Sequence, residues 1–350
     1  MKEIIEKQWS DLPQIWNELY KKSRTATPFQ SYDFLAHTGN GKPHHKDLFR
    51  LIGLREWNLL LHENGQPIAI APLLIKKKKG KQIVYLRGHF TVANQLDFIY
   101  ENLSHNDFLM IMDYITSKLE NASFFFDRIS ERTVTCGYFK RFFASDKIEE
   151  HECYAIPIPA CYDDWFKNLS KSSRNNLSNR YNRLERDHID WSVCFCCGSK
   201  METCLSEQQM WVYADRFIYK NALRCGLFRS LITRMLQRYL MRDKMTQWMN
   251  RGEDSFHAVL FFNSEVAAFA SGVICRDKRI IMSRLAILTQ FAKYGPGGVL
   301  ISSIIRHIIE QNNCGAMDID QLDLSQGGQD GMQYKRAYGG QVHYSYLFKD

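Results

Sequence analysis

Two stretches of the chain repeat one arrangement of apolar and polar positions. Residues 64–79, "NGQPIAIAPLLIKKKK", and 263–278, "NSEVAAFASGVICRDK", bring Ala69 and Ala268, Ala71 and Ala270, Ile75 and Ile274, and Lys79 and Lys278 into register, about 200 residues apart. Each copy follows an apolar run, Trp57–His62 or His257–Phe262, and precedes another, Ile83–Leu86 or Ile280–Leu285. The pattern predicts strand, tight turn, strand, basic turn, strand, twice over.

The second half extends further. Ser206 and Gln209 read as a capping box before Met210, Tyr213, Ala214, Phe217 and Ile218 at helical spacing. Trp191, Val193 and Phe195 alternate with Cys194 and Cys196 as a strand does. After the hairpin, the pairs Leu300/Ile301, Ile304/Ile305 and Ile308/Ile309 recur every four residues and predict a helix. "AMDIDQLDL" alternates as a strand, "GMQYKRAYGG" reads as a short helix with a glycine stop, and "QVHYSYLF" as a last strand, expected to complete the second sheet.

At 350 residues the chain exceeds what one core organises, so two domains are expected, 1–155 and 156–350. A hydrophobic fraction of 45% excludes a disordered chain. Forty-six basic against 38 acidic residues give +8, which favours an anionic partner without choosing one. No window reads as a signal peptide or a membrane span, and the expectation is a cytoplasmic protein without membrane insertion. The ten cysteines form no even framework and read as reduced thiols; Cys194 and Cys197 make a single CxxC without the second pair a structural zinc site wants, so no metal is expected.

Between the hairpin and the long helix lies "KYGPGGVLISSIIRHII", residues 293–309. A glycine-rich turn opening a helix suits phosphate, since the backbone approaches closely and the helix N-terminus is positive. The spelling excludes a P-loop, which needs GxxxxGK[ST], and the dinucleotide GxGxxG.

That element order, with "YGPGGVL" between the third hairpin strand and a long helix, resembles the GNAT acyltransferase fold, and its duplication resembles the tandem-GNAT group that contains the CelD/BcsL-type acetyltransferases and the Fem-type aminoacyl transferases. Further stretches carry the likeness: "TPFQSYDFL", "VYLRGHFTVANQLDFIY", "YDDWFKNLSKSSRNNLSNRYNRLERDHIDWSV" and "QYKRAYGG". The resemblance implies a mixed α/β (α+β) fold of two tandem GNAT-like domains, each a mostly antiparallel sheet flanked by helices.

The same resemblance implies acetyl-CoA or another acyl-CoA as co-substrate. Its thioester would be polarised by backbone around Leu285, Ile287 and Leu288, and its pyrophosphate would rest on Tyr294, Gly295, Gly297, Gly298 and Val299. Tyr334 is implied as the acid that protonates the leaving thiolate, and Lys335 as a neutraliser of an oxyanion or substrate phosphate. Asp318 and Asp320, two apart on a predicted strand, share a face and are candidates to bind or deprotonate the acceptor amine. The basic segment 167–186 offers Arg174 and Arg180 for a phosphate or carboxylate of the acceptor. "KKKKGK" at 76–81 reads as a hairpin turn that serves solubility or RNA. The first domain has one glycine in "RGHFTVANQ" and no counterpart of "YGPGG", which implies a scaffold without a donor site.

The function expected is N-acyl transfer from acyl-CoA to an amine of a small molecule or sugar nucleotide, in an amino-sugar, cell-envelope or polysaccharide precursor. The alternatives are a Fem-type transferase using aminoacyl-tRNA and a binding module with decayed sites. DNA is not an expected partner.

Overall fold

The computed structural model describes residues 1–36, 53–78, 80–89, 93–198, 253–326 and 333–350. The helix predicted over Ser206–Ile218, and Lys79, lie outside them. The chain forms two compact units, Met1–Cys153 with His343–Asp350, and Tyr154–Val342.

The first unit begins with β1 (Lys2–Lys7), α1 (Pro13–Lys22) and α2 (Tyr32–Leu35), followed by β2 (Leu54–Glu63), β3 (Gln66–Lys78) and β4 (Lys81–Leu86). A short β5 (Ile99–Tyr100), α3 (His105–Lys118), β6 (Ala122–Ser130) and α4 (Val134–Phe142) come next, and β7 (Ile148–Pro157) crosses the boundary at Cys153. Strands β1 to β4 pair antiparallel in succession, then β4 pairs parallel with β6, from Gln82↔Ala122 to Tyr85↔Phe125.

The second unit continues with α5 (Tyr162–Asn168), α6 (Lys171–Arg186), β8 (Trp191–Cys197), β9 (Ser255–Phe262), β10 (Glu265–Cys275), β11 (Arg279–Ile287), α7 (Pro296–Asn313), β12 (Gln321–Gln326) and α8 (Gln333–Ala337). Its sheet runs β12-β11-β10-β9-β8. Strands β8 to β11 are antiparallel and β11 is parallel to β12, the order of the first unit again.

The sequence echo therefore has a structural counterpart. Both hairpins turn through two positive-φ residues, Asn64 (51°) and Gly65 (78°) in one, Asn263 (48°) and Ser264 (66°) in the other. This is the twist-matched two-residue turn of tight hairpins. Both carry a register shift close to the turn, at Leu61/His62 and at Val266/Ala268.

One expectation is corrected. The last strand, β13 (Gln341–Lys349), pairs with β6 of the first unit, Ser345↔Ser130 through Lys349↔Phe125, and so closes the first sheet instead of the second. Local alternation identifies a strand but says nothing about which distant edge receives it. A second correction concerns the thiols: Cys194 and Cys196 are disulfide-bonded, while Cys136, Cys153, Cys161, Cys197, Cys275 and Cys314 are free. Alternation sets both bonded residues on one face of β8 and is silent on oxidation.

Helix α7 anchors the second core. Its three apolar pairs are all buried, against Phe256, Ala258, Leu260 and Phe262 of β9 and Ala268 and Ala270 of β10. The alanines let the helix approach the sheet, and each buried isoleucine or leucine contributes roughly 1.5–3 kcal/mol. This packing fixes the N-terminus of α7 beside the far end of β11, where the candidate site lies.

Candidate functional site

The β11–β12 ladder is short because β11 is deformed. A bulge sets Ser271 opposite Arg284 and Gly272 opposite Met282, leaving Ser283 extra. A side chain at Gly272 would strike the Ile281 carbonyl. The parallel ladder consequently holds only Arg279↔Gln321, Ile280↔Leu322 and Ile281↔Asp323. Beyond it β11 runs on to Ile287, and the Ser325 hydroxyl donates to the Met282 carbonyl (2.7 Å) at the point of divergence.

The freed end of β12 is held from the other side. The Lys335 ammonium, buried, donates to the carbonyls of Leu324 (2.5 Å), Ser325 (3.0 Å) and Gln326 (2.9 Å). Lys335 thus satisfies three successive carbonyls where β12 has left the ladder with β11.

At the mouth of the fork, Gly295 takes φ 58° between a short 3-10 turn (Thr289–Tyr294) and Pro296, the first residue of α7. A left-handed conformation suits glycine there. Tyr294 is buried, edge-on to Phe262, with its hydroxyl donating to Asp187 (3.0 Å). Gly297 faces the sheet: a Cβ would meet Ile287 at 3.3 Å and Leu285 at 3.9 Å.

What lies over the other two glycines is Arg180, from α6. A Cβ at Gly295 would come within 2.6 Å of its Nε, and one at Gly298 would fall on its Nη1 and on the Tyr338 hydroxyl. Arg180 donates to that hydroxyl, and no carboxylate among the described residues pairs with it. A cation at a helix N-terminus has the unfavourable sign for the helix dipole. An anion beside it would relieve both charges.

A pocket of about 320 Å³ adjoins this point, lined by Asn176, Asn179, Arg180, Arg183, Ala292, Lys293 and Gly295. Arg183 donates to the Lys293 carbonyl (2.7 Å). Asp187, on the flank, binds Arg186 (2.9 Å) and Lys293 (3.2 Å). Its carboxyl is held down to about 2, first by the Arg186 hydrogen bond, then by those from Tyr294 and Lys293.

The other predicted residues are distributed as follows. Arg174 caps the end of α5, donating to the carbonyls of Lys167 (2.7 Å) and Leu169 (2.5 Å), and does not share the pocket with Arg180. Asp318 and Asp320 precede β12 and are exposed at its start, where Asp318 pairs with Lys278 (2.8 Å) and the Asp320 N–H donates to the Lys278 carbonyl (2.8 Å). They stand at the end of the strand opposite the fork. Tyr334 is half-buried against the core, its ring edge-on to Tyr338 (6.5 Å), and burial pushes its phenol up, so it keeps its proton.

Sequence reasoning passed over four residues at the site. Tyr338, in the same short "QYKRAYGG", is the tyrosine that touches Arg180. Arg183 was visible as the residue three after Arg180 on one helical face, and Lys293 as the residue before Tyr294. Asp323 is fully buried at the last rung of the ladder, near Arg279 (3.4 Å) and accepting from the Ser325 N–H (2.7 Å); nothing in "QLDLS" separates it from a solvated strand residue.

No protein-family profile and no curated protein matches the chain. Solved structures do. FemX aligns at 10% identity with a TM-score of 0.57, over 99% of this chain and 96% of that one. The C-terminal domain of a putative lysylphosphatidylglycerol synthetase from Agrobacterium fabrum aligns at 10% identity with a TM-score of 0.51, over 95% and 92%. A conserved protein of unknown function from Bacteroides thetaiotaomicron VPI-5482 aligns at 10% identity with a TM-score of 0.51, over 100% and 99%. The chain shares its mixed α/β fold with these structures, FemX among them.

Proposed function

We propose that the second unit is an N-acyltransferase that takes an acyl group from acyl-CoA and delivers it to an amine, of an amino sugar or another cell-envelope or polysaccharide precursor. The observation that carries this reading is the Arg180 guanidinium at the N-terminus of α7, with no carboxylate partner among the described residues. It is an anion site next to a forked sheet, and the donor's pyrophosphate is the anion.

In this reading the thioester enters the fork beside Leu285, Ile287 and Leu288, and backbone N–H groups there polarise its carbonyl. The amine nitrogen attacks the carbonyl carbon, the C–N bond forms and the C–S bond breaks. The thiolate takes the Tyr334 proton, and the amine's surplus proton leaves through water. Lys335 binds the end of β12 and does not touch the reacting atoms.

One observation favours a second donor. The guanidinium already fills the space above Gly298 that a pyrophosphate would enter. A donor presenting a single phosphodiester, such as an aminoacyl-tRNA, needs less of that space, and a Fem-type reaction follows the same acyl chemistry from an ester.

Calorimetric titration of the full chain with CoA and, separately, with aminoacyl-tRNA decides between them. In the acyl-CoA reading CoA binds, and Arg180→Ala weakens it by on the order of 10- to 100-fold, the weight of a charge-assisted contact. Binding of tRNA alone selects the second reading. Binding of neither leaves a module with decayed sites.

A further inference from the structure

We infer that the pocket between α6 and the turn before α7 receives a phosphate monoester on the donor's nucleotide. The inference rests on the acyl-CoA reading, in which this group is the 3′-phosphate of the ribose.

The argument begins with helical spacing. Asn176, Asn179, Arg180 and Arg183 stand at i, i+3, i+4 and i+7 of α6, one face of the helix, and that face meets Lys293 and Gly295. Arg180 serves both this pocket and the glycine turn, so a donor holding one phosphate over the turn has a second anchoring point immediately beside it.

Charge selects the class of group. Arg180, Arg183 and Lys293 contribute three positive charges to the lining, and the carboxylate in contact with them among the described residues is Asp187, through Lys293 and shared with Arg186 (2.9 Å). Arg180, shared with the glycine turn, and Arg183 are left without a carboxylate among the described residues. A monoester, carrying about −1.5 to −2 at neutral pH, gains more from these cations than a phosphodiester with its single negative charge.

Donor supply agrees. Arg183 uses one N–H on the Lys293 carbonyl, which fixes its guanidinium at the rim, and its remaining N–H groups have no partner among the described residues. The amides of Asn176 and Asn179 are likewise without partners among the described residues and exposed toward the opening. A volume of about 320 Å³ accommodates a phosphate together with its sugar.

The test compares CoA with dephospho-CoA, which lacks only that phosphate, by calorimetry on the full chain at low salt. The unmodified chain should bind CoA on the order of 10- to 100-fold more tightly. Arg183→Gln, an exposed change that circular dichroism should show to be folded, should bring the ratio toward one while dephospho-CoA affinity stays near that of the unmodified chain. Raising the salt concentration should also shrink the ratio, since the pocket is open to solvent. Equal affinity for CoA and dephospho-CoA in the unmodified chain overturns the inference and leaves the acyl-CoA reading standing. Failure of both to bind overturns the two together.

Discussion

Tyr334 and Tyr338, one turn apart on the same short element, have different partners and should respond differently to loss of a hydroxyl. Tyr338 is tied to Arg180 at the N-terminus of α7. Tyr334 has a phenol pushed up by burial and stands next to the lysine that binds the end of β12. Tyr334→Phe should therefore lower kcat by about 10²- to 10⁴-fold with donor affinity nearly unchanged, as steady-state kinetics and calorimetry together would show. Unchanged turnover would reduce Tyr334 to packing. A second residue-scale expectation concerns Asp97 in the first unit, which is buried, accepts from the Phe98 N–H (2.7 Å) and the Tyr100 hydroxyl (3.4 Å), and is bonded to Thr135. Burial outweighs those donors and pushes its carboxyl up to about 7, from 3.8. The folded state keeps a proton that the unfolded chain releases, so stability from this group is full below 3.8 and is lost as pH rises through about 7. Asp97→Asn, neutral throughout, should gain on the unmodified chain in melting temperature between pH 5 and pH 8. Comparison at each pH cancels other groups, including His89, which burial pushes down to about 4 and which has the opposite slope.

At the scale of elements, the hairpins were legible because alternation and turn chemistry agree: an Asn-Gly pair at 64–65 and an Asn-Ser pair at 263–264 can both adopt the positive φ that the turn demands. Helix α7 was legible from its four-residue repeat. The strand bearing Asp318 and Asp320 was displaced, because "MDID" alternates like a strand although the ladder begins only at Gln321. Arg174 and Arg180 could not be told apart by composition; one meets the carbonyls ending α5 and the other the N-terminus of α7, and only packing decides which. Lys335 shows the same limit. Its position suggested chemistry, and three carbonyl contacts give it a structural duty. Lys335→Met keeps the stem and removes the ammonium, so it should destabilise the second unit by about 1–3 kcal/mol per carbonyl left dry, less whatever water recovers. Denaturant unfolding followed in that unit measures it; an unaltered midpoint would mean the carbonyls do not need the ammonium.

For the whole molecule, the telling element is β13, whose residues from His343 belong to the unit begun at Met1. Phe348 is fully buried and stacks on Phe139 (5.2 Å), and the Asp350 side chain accepts from the Phe124 N–H (2.5 Å). Deleting residues 343–350 should therefore speed amide exchange at Phe125–Ser130 and leave Val299–Ile309 protected. The reverse pattern would refute the assignment of the strand. The same arrangement has a consequence for synthesis. A ribosome finishing residue 153 has made nearly all of the first unit and still lacks the strand that pairs with β6, and residues 154–342 must be translated before it emerges. At bacterial and eukaryotic elongation rates that interval is about 10–40 s, long beside the folding time of an ordinary domain. Throughout it, β6 presents an open edge to every neighbouring nascent chain, which makes this protein a natural client for factors that shield unpaired strands during translation.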